Sequence, residues 1–206
     1  MAITVWGAGT GRTIRVHWAL AELGVDYETK PIGPRTGETQ SPEFRNLSIK
    51  EKIPVLEDGD LVLTESAAIV TYLGDKHGGL TPRVGTADRA RYDEWLSFIL
   101  MELDAHTLYV MRKHGDLAYL YGEAPAAMDA ARVGFEKQLR WALPRFEVAQ
   151  YLVGNAFTGV DILMTSCLDW AVNYGFDLPA TADAYRERHH QRPAFAVAKE
   201  ANSPRG

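Results

Sequence analysis

A single cysteine, Cys167, is the only thiol in this chain of 206 residues. No disulfide can form within it, and there is no Cys-x-x-Cys pair. The six histidines and this one cysteine build no cluster at zinc-ligand spacing, so no metal is expected. Nor is there a stretch approaching the roughly 20 apolar residues that cross a bilayer, so no membrane partner is expected. The start, Met1-Ala2-Ile3-Thr4-Val5-Trp6-Gly7, has no charged region ahead of an apolar run and does not read as a signal peptide. Positive charge is also short. The formal net charge is -5, and the first 80 residues hold 8 of the 22 Lys and Arg against 11 of the 27 Asp and Glu. Neither half is a basic platform, which removes nucleic acid as an expected partner. The near-absence of cysteine fits a reducing compartment, and the expected location is cytoplasmic.

What is present is an ordinary globular balance, 46% hydrophobic and 24% charged. Ile3 to Trp6 is short and rich in strand formers, and Gly7-Ala8-Gly9-Thr10-Gly11 breaks it. From Arg12 a helical period appears, with Val16, Ala19, Leu20 and Leu23 on one face and Gly24 as the stop. Val25 to Ile32 reads as a second strand, which makes a β-α-β unit with a parallel pair. Ser41-Pro42-Glu43 starts a short helix, with serine as cap and proline in the first turn. Ile53 to Glu57 and Leu61 to Leu63 flank Asp58-Gly59 as a hairpin. Thr64-Glu65-Ser66 then opens another helix.

Gly78-Gly79 and Pro82 mark a linker over residues 79–86, and no convincing strand follows it. Residues 86–114, 125–151 and 158–174 are long periodic segments. Residues 181–190 and 193–201 are shorter ones. The expected fold class is therefore a thioredoxin-like α/β domain of order βαβ-α-ββα over residues 1–78, then an all-α bundle over 87–206.

The motifs within that frame are specific in their order. Ile53-Pro54-Val55-Leu56, then Asp58-Gly59, then Glu65-Ser66-Ala67-Ala68-Ile69 resembles the glutathione transferase signature, roughly V-P-x-L, D-G and E-S-x-A-I. Ser41-Pro42-Glu43-Phe44 lies upstream where such proteins often carry S-P-E. Thr158-Gly159-Val160-Asp161 looks like the family's capping box in the second domain, and Arg192-Pro193-Ala194-Phe195 like its R-P-A segment. The chain thus resembles the cytosolic glutathione transferase superfamily, in its Ser/Thr-type bacterial form, over nearly its whole length.

The resemblance implies a glutathione site. Pro54 would follow a cis bond, and the Ile53 backbone would pair with the cysteinyl part of glutathione like an added strand. Glu65 and Ser66 would hold the γ-glutamyl end, at a helix start where free N–H groups and the helix dipole favour a carboxylate. A plain N-cap serine beside a first-turn acid is compatible with the same geometry. Lys52 and Gln40 match positions that hold the glycine end, although Lys52 read alone is equally a solvated surface lysine. The neighbourhood departs from the pattern: Ser48-Ile49 replaces Asn-Pro, Glu51 replaces a glycine, and Gln40 stands where lysine is frequent. Glu51 in particular brings negative charge near an anionic ligand.

For the sulfur, alignment on the Trp18-Ala19-Leu20 helix puts Thr10 at the catalytic serine position of several classes. A turn residue or helix cap is the competing reading of Thr10. Arg12 could add positive charge near a thiolate, and Thr13 is the next candidate. Trp6 would pack or line the electrophile pocket. His106, Tyr109 and Arg112, at i, i+3 and i+6, are the other pocket candidates, with a solvated or core-facing helix as the plain alternative. The resemblance implies transfer of glutathione, as co-substrate, to small electrophilic molecules in a detoxifying role, by a homodimer. Its alternatives are glutathione-dependent reduction of disulfides or peroxides, and a non-catalytic binding module.

Overall fold

Two apolar side chains of the first strand decide where the sheet sits. In the computed structural model, which describes residues 2–203, Ile3 and Val5 of β1 (Ile3–Trp6) are buried. β1 pairs in parallel with β2 (Tyr27–Lys30) and antiparallel with β3 (Val55–Asp58). β3 pairs antiparallel with β4 (Leu61–Thr64), giving the order β2-β1-β3-β4. The expected second strand, residues 25–32, shortens at both ends to residues 27–30. The N–H of Val25 is spent on Leu20 O at 3.1 Å, where it closes the preceding helix with Gly24 in the left-handed region at φ 61°.

Helix α1 (Thr13–Leu23) connects β1 to β2. α2 (Pro42–Leu47) follows a short 3-10 turn at Glu38–Gln40, and α3 (Ser66–His77) follows the hairpin. Ser41 Oγ accepts the Phe44 N–H at 3.2 Å, the cap its sequence predicts. α1 is buried through Arg15, Val16, His17, Trp18, Ala19 and Leu20. A stripe of aliphatic residues alone would not seal so much of a helix, and α1 is covered by two others. One is α3. The other is the last helix of the chain, α10 (Pro193–Ala201).

The compact units therefore do not follow chain order. One contains the stretch up to Thr81 together with the segment from Arg188 onward, and the other is Pro82–Glu187. A split into residues 1–78 and 87–206 separates α10 from the helix it packs on. The R-P-A-F segment explains the return. Arg192 gives Glu22 a two-pronged ion pair, Nε to Oε1 at 2.6 Å and Nη2 to Oε2 at 2.7 Å. Phe195 lies 4.7 Å from the Trp18 ring and stacks on His190 at 4.3 Å.

The second unit is helical throughout its regular elements. Residues 86–114 read as one helix and are three pieces. These are α4 (Ala87–Phe98), a π-type stretch Ile99–Leu108, and α5 (Tyr109–His114). At ten residues the π-type stretch exceeds the usual single-turn bulge. α6 (Ala118–Tyr121), too short to show a period, precedes α7 (Pro125–Val148), α8 (Gly159–Asn173) and α9 (Ala180–His190).

The capping box at the start of α8 is present, and it does more than cap. The buried Asp161 carboxylate accepts Leu152 N–H at 2.8 Å, Thr158 N–H at 2.8 Å, Thr158 Oγ1 at 2.9 Å and Tyr185 Oη at 2.7 Å. Burial pushes this carboxyl up and the four donors pull it down. Asp161→Ala strands all four donors in the interior. Urea unfolding should show a loss of about 3–5 kcal/mol.

His17 generates a second expectation. It is buried, with Nε2 at 3.0 Å from Gly7 O and Nδ1 at 2.9 Å from Tyr27 Oη. Burial holds its pKa below the usual 6.5, against the pull of the Gly7 carbonyl. As pH falls through about 6.5 the unfolded chain takes up a proton that the native imidazole refuses, so stability declines from there downward. Melting temperature against pH should fall more steeply below about 6.5 in the parent than in His17→Gln.

Candidate functional site

The polar loop between β1 and α1 is fixed by a knot of hydroxyls. Thr10 N–H donates to Thr13 Oγ1 at 3.0 Å, and Thr13 N–H donates to Thr10 Oγ1 at 3.0 Å. The two hydroxyl oxygens are themselves 3.0 Å apart. Thr10 therefore caps the turn that leads into α1. Its hydroxyl is half-buried, while Thr13 is fully buried. Thr13 Oγ1 has a single hydrogen, with Asn202 Oδ1 at 2.5 Å and Thr10 O at 2.9 Å to receive it. Of the two hydroxyls, that of Thr10 is the one whose hydrogen can turn outward, so the cap reading and the donor reading of Thr10 coexist. Arg12 precedes the helix, half-buried, and makes no side-chain cap.

The bend ahead of β3 lies against the same loop. The Ile53–Pro54 bond is cis. A Cβ placed on Gly7 would come within 2.5 Å of Ile53 Cβ, and Gly7 has φ 117°. Only glycine permits both the close approach and that backbone. Pro54 is buried and Ile53 half-buried against a core cluster of Trp6, Phe44 and Val55. Trp6 is accordingly placed in the core. It is 8% exposed, 6.0 Å from the Phe44 ring, with its indole N–H on Glu57 Oε2 at 2.5 Å. A ring so enclosed is a packing group, which separates Trp6 from the pocket role.

At the start of α3, Ser66 is buried and the Ile69 N–H bonds to Glu65 O at 3.0 Å, so the first N–H groups of the helix are left for another partner. Glu65 itself has φ 70°, a left-handed conformation unusual for a glutamate and of a kind that collects at functional sites. Behind the helix start sits a group the motif reading did not single out. Arg15, 1% exposed, reaches Ser66 Oγ with Nη1 at 3.4 Å. The available signal was an arginine within the apolar run of α1 with no acid at i±3 or i±4.

Lys50 is the second unanticipated residue. It contacts Thr64 Oγ1 at 2.9 Å and Glu65 Oε1 at 3.0 Å across the hairpin end. Lys52 and Gln40 are both exposed. Glu51, the departure that raised an electrostatic objection, is ion-paired to Arg45 at 2.7 Å, and its φ of 53° is the conformation in which a glycine is natural. Its charge is thereby largely offset.

In the second unit, His106 falls in the π-type stretch and is exposed, while Tyr109 begins α5, Arg112 lies in its last turn, and both are half-buried. Their i, i+3, i+6 spacing aligns only on an α-helical pitch, and the first of the three lies outside one. Lys113 Nζ sits 5.3 Å from the centre of the Tyr109 ring. Among the described residues, no group of three or more His, Cys, Asp or Glu could hold a metal, and no helix is long and apolar enough to cross a membrane.

Both halves of the chain match known proteins. Residues 1–75 match the family model for the glutathione S-transferase N-terminal domain, and residues 98–191 the model for its C-terminal domain. Glutathione S-transferase 3 of Zea mays is 34% identical over 161 residues, 72% of this chain and 68% of that protein. A probable maleylacetoacetate isomerase of Vibrio cholerae is 26% identical over 214 residues, 97% of this chain and 94% of that protein. The solved theta class glutathione S-transferase of Xanthomonas axonopodis pv. citri, with glutathione bound, superposes with a TM-score of 0.80 at 26% identity, covering 96% of each chain. With a domain model matched in each half, a thioredoxin-like sheet domain and a helical domain, this chain belongs to the glutathione S-transferase family.

Proposed function

We propose that the chain binds glutathione across the Thr10, Ile53 and Ser66 region of its first unit and transfers the thiol to a small electrophile. The observation that carries this is the start of α3, where open N–H groups, Ser66 and the buried Arg15 behind it make a seat for the γ-glutamyl carboxylate. Ile53 offers backbone groups to the cysteinyl part, and Lys52 with Gln40 receives the glycine end. Thr10 donates its hydroxyl hydrogen to the sulfur, and Arg12 adds positive charge nearby.

Thiol ionisation supplies the chemistry. A thiol of pKa about 8.5 is only about 3% thiolate at pH 7, and one lowered to about 6.5 is about 75% thiolate. That gain of about 25-fold corresponds to about 2.7 kcal/mol of preference for the charged form. A hydroxyl donor and a helix start both act in that direction. The sulfur lone pair then forms a bond to the electrophilic carbon. The leaving group departs with its electron pair, and the thiol proton has already gone to solvent. His106, Tyr109 and Arg112 are the residues of the second unit offered to the electrophile. The working form is a homodimer in the reducing cytoplasm, where the one buried cysteine, Cys167, stays a thiol.

Two variants test this. Ser66→Ala removes a hydrogen bond to a charged group and should cost about 1–3 kcal/mol of glutathione affinity in calorimetric titration. An unchanged dissociation constant removes the carboxylate seat from the proposal. Thr10→Val should leave glutathione affinity nearly as it is, raise the pKa of the bound thiol and slow turnover at neutral pH, while Thr10→Ser should keep both near the parent. The readout is thiolate absorbance against pH beside initial rates with a chlorodinitrobenzene. If Thr10→Val moves neither, Thr10 is a cap only.

A further inference from the structure

Asn202 follows the last residue of α10, and both its backbone and its side chain bond to the Gly9–Thr13 loop. Its carbonyl oxygen accepts the Gly9 N–H at 2.7 Å. Its side-chain Oδ1 accepts from Thr13 Oγ1 at 2.5 Å, and its Nδ2 donates to Thr10 O at 3.3 Å. The two side-chain contacts agree on one orientation of the amide, with oxygen toward the hydroxyl and nitrogen toward the carbonyl.

The register of two helices brings it there. α10 runs antiparallel along α1. Arg192 meets Glu22 near the end of α1, Phe195 meets Trp18 in the middle, and Asn202 meets Thr13 at the start. The intervals match, nine residues from Thr13 to Glu22 against ten from Arg192 to Asn202, both about 14 Å of helix. The loop so reached needs an outside anchor. It contains Gly9 and Gly11 and follows Gly7, and Gly7 and Gly9 sit at φ 117° and 78°. Glycine gives a loop freedom that must be removed before a hydroxyl can be aimed.

We infer that Asn202 is a positioning residue for thiolate formation, locking the loop from the C-terminal end of the chain so that the Thr10 hydroxyl faces glutathione sulfur. This rests on the reading of Thr10 as the thiolate's donor. The mechanism is a division of hydrogens. Asn202 Oδ1 takes the only hydrogen of Thr13 Oγ1, and Asn202 Nδ2 occupies the Thr10 carbonyl that would otherwise compete for it. Thr13 is then held as an acceptor for Thr10 N–H, and Thr10 keeps its own hydroxyl hydrogen for the ligand. A sequence that docks α10 by Arg192 thus also completes the loop ten residues later.

The test compares Asn202→Ala, Thr10→Val and the double variant, each with glutathione and a chlorodinitrobenzene. Four quantities are read: the pKa of the bound thiol, kcat, KM for glutathione, and melting temperature. Asn202→Ala, which removes both amide contacts, should raise the thiol pKa and lower kcat about fivefold, equivalent to about one ordinary hydrogen bond, with KM for glutathione within about twofold. In the Thr10→Val background the same change should add nothing, because its effect passes through Thr10. A merely structural contact would lower the melting temperature and leave pKa and kcat in place, which overturns the inference while Thr10→Val still reports on Thr10. If Thr10→Val has no effect and Asn202→Ala does, the clamp stands and the donor is another group of the loop. If neither has an effect, both readings fall. Should Asn202→Ala fold poorly, Asn202→Leu removes the same two amide contacts while keeping the side chain's bulk, and is read in the same way.

Discussion

Burial of α1 between α3 and α10 is the constraint from which the rest of the first unit follows. A helix enclosed on those sides must find internal partners for each polar group it carries, or lose free energy for every one left stranded. The partners are specific. His17 bonds the Gly7 carbonyl, which sets the first turn after β1. Glu22 takes Arg192 and the Trp18 indole, which fastens α10. Thr13 takes Asn202, and Arg15 reaches Ser66. Satisfying the buried helix and building the proposed ligand site are thus one set of contacts.

This explains why the motifs were readable and some of their consequences were not. The hairpin, the Ser41 cap, the Thr158–Asp161 box and the Glu65-Ser66 helix start are local, and their residue types carry the geometry with them. The return of α10 to the first unit is not local. Arg192-Pro193-Ala194-Phe195 was recognisable as a segment, but that its arginine meets Glu22 across 170 residues depends on tertiary packing. Arg15 and Lys50 carry no local signature for the same reason: each meets residues set by another part of the chain. The break of residues 86–114 into α, π-type and α pieces escaped a reading that assumes 3.6 residues per turn, because a π-type stretch holds the same apolar residues at a different pitch.

Charge around the proposed ligand seat is arranged in layers. Arg15 is buried behind Ser66, where low polarity strengthens its field on an anion. Lys50 is exposed and ties Glu65, and Lys52 is exposed beside the Ile53 turn. Arg45 offsets Glu51, the one acid whose position argued against an anionic ligand. A chain of net charge -5 thereby presents cationic groups where glutathione's two carboxylates would lie. Exposed pairs of this sort contribute little to stability and are open to exchange for a ligand carboxylate.

The central claim is that glutathione lies along one continuous line in the first unit, from the start of α3 past Ile53 to the loop held by Asn202. Its most direct measurement is an amide map, in which the isotopically labelled chain is titrated with glutathione and each backbone N–H is followed by NMR. The account predicts that the amides of Ile53, Glu65, Ser66 and Gly9 to Thr13 shift together along one binding curve. Amides at those positions that stay fixed at saturating glutathione, with shifts confined to Pro82–Glu187, would contradict it.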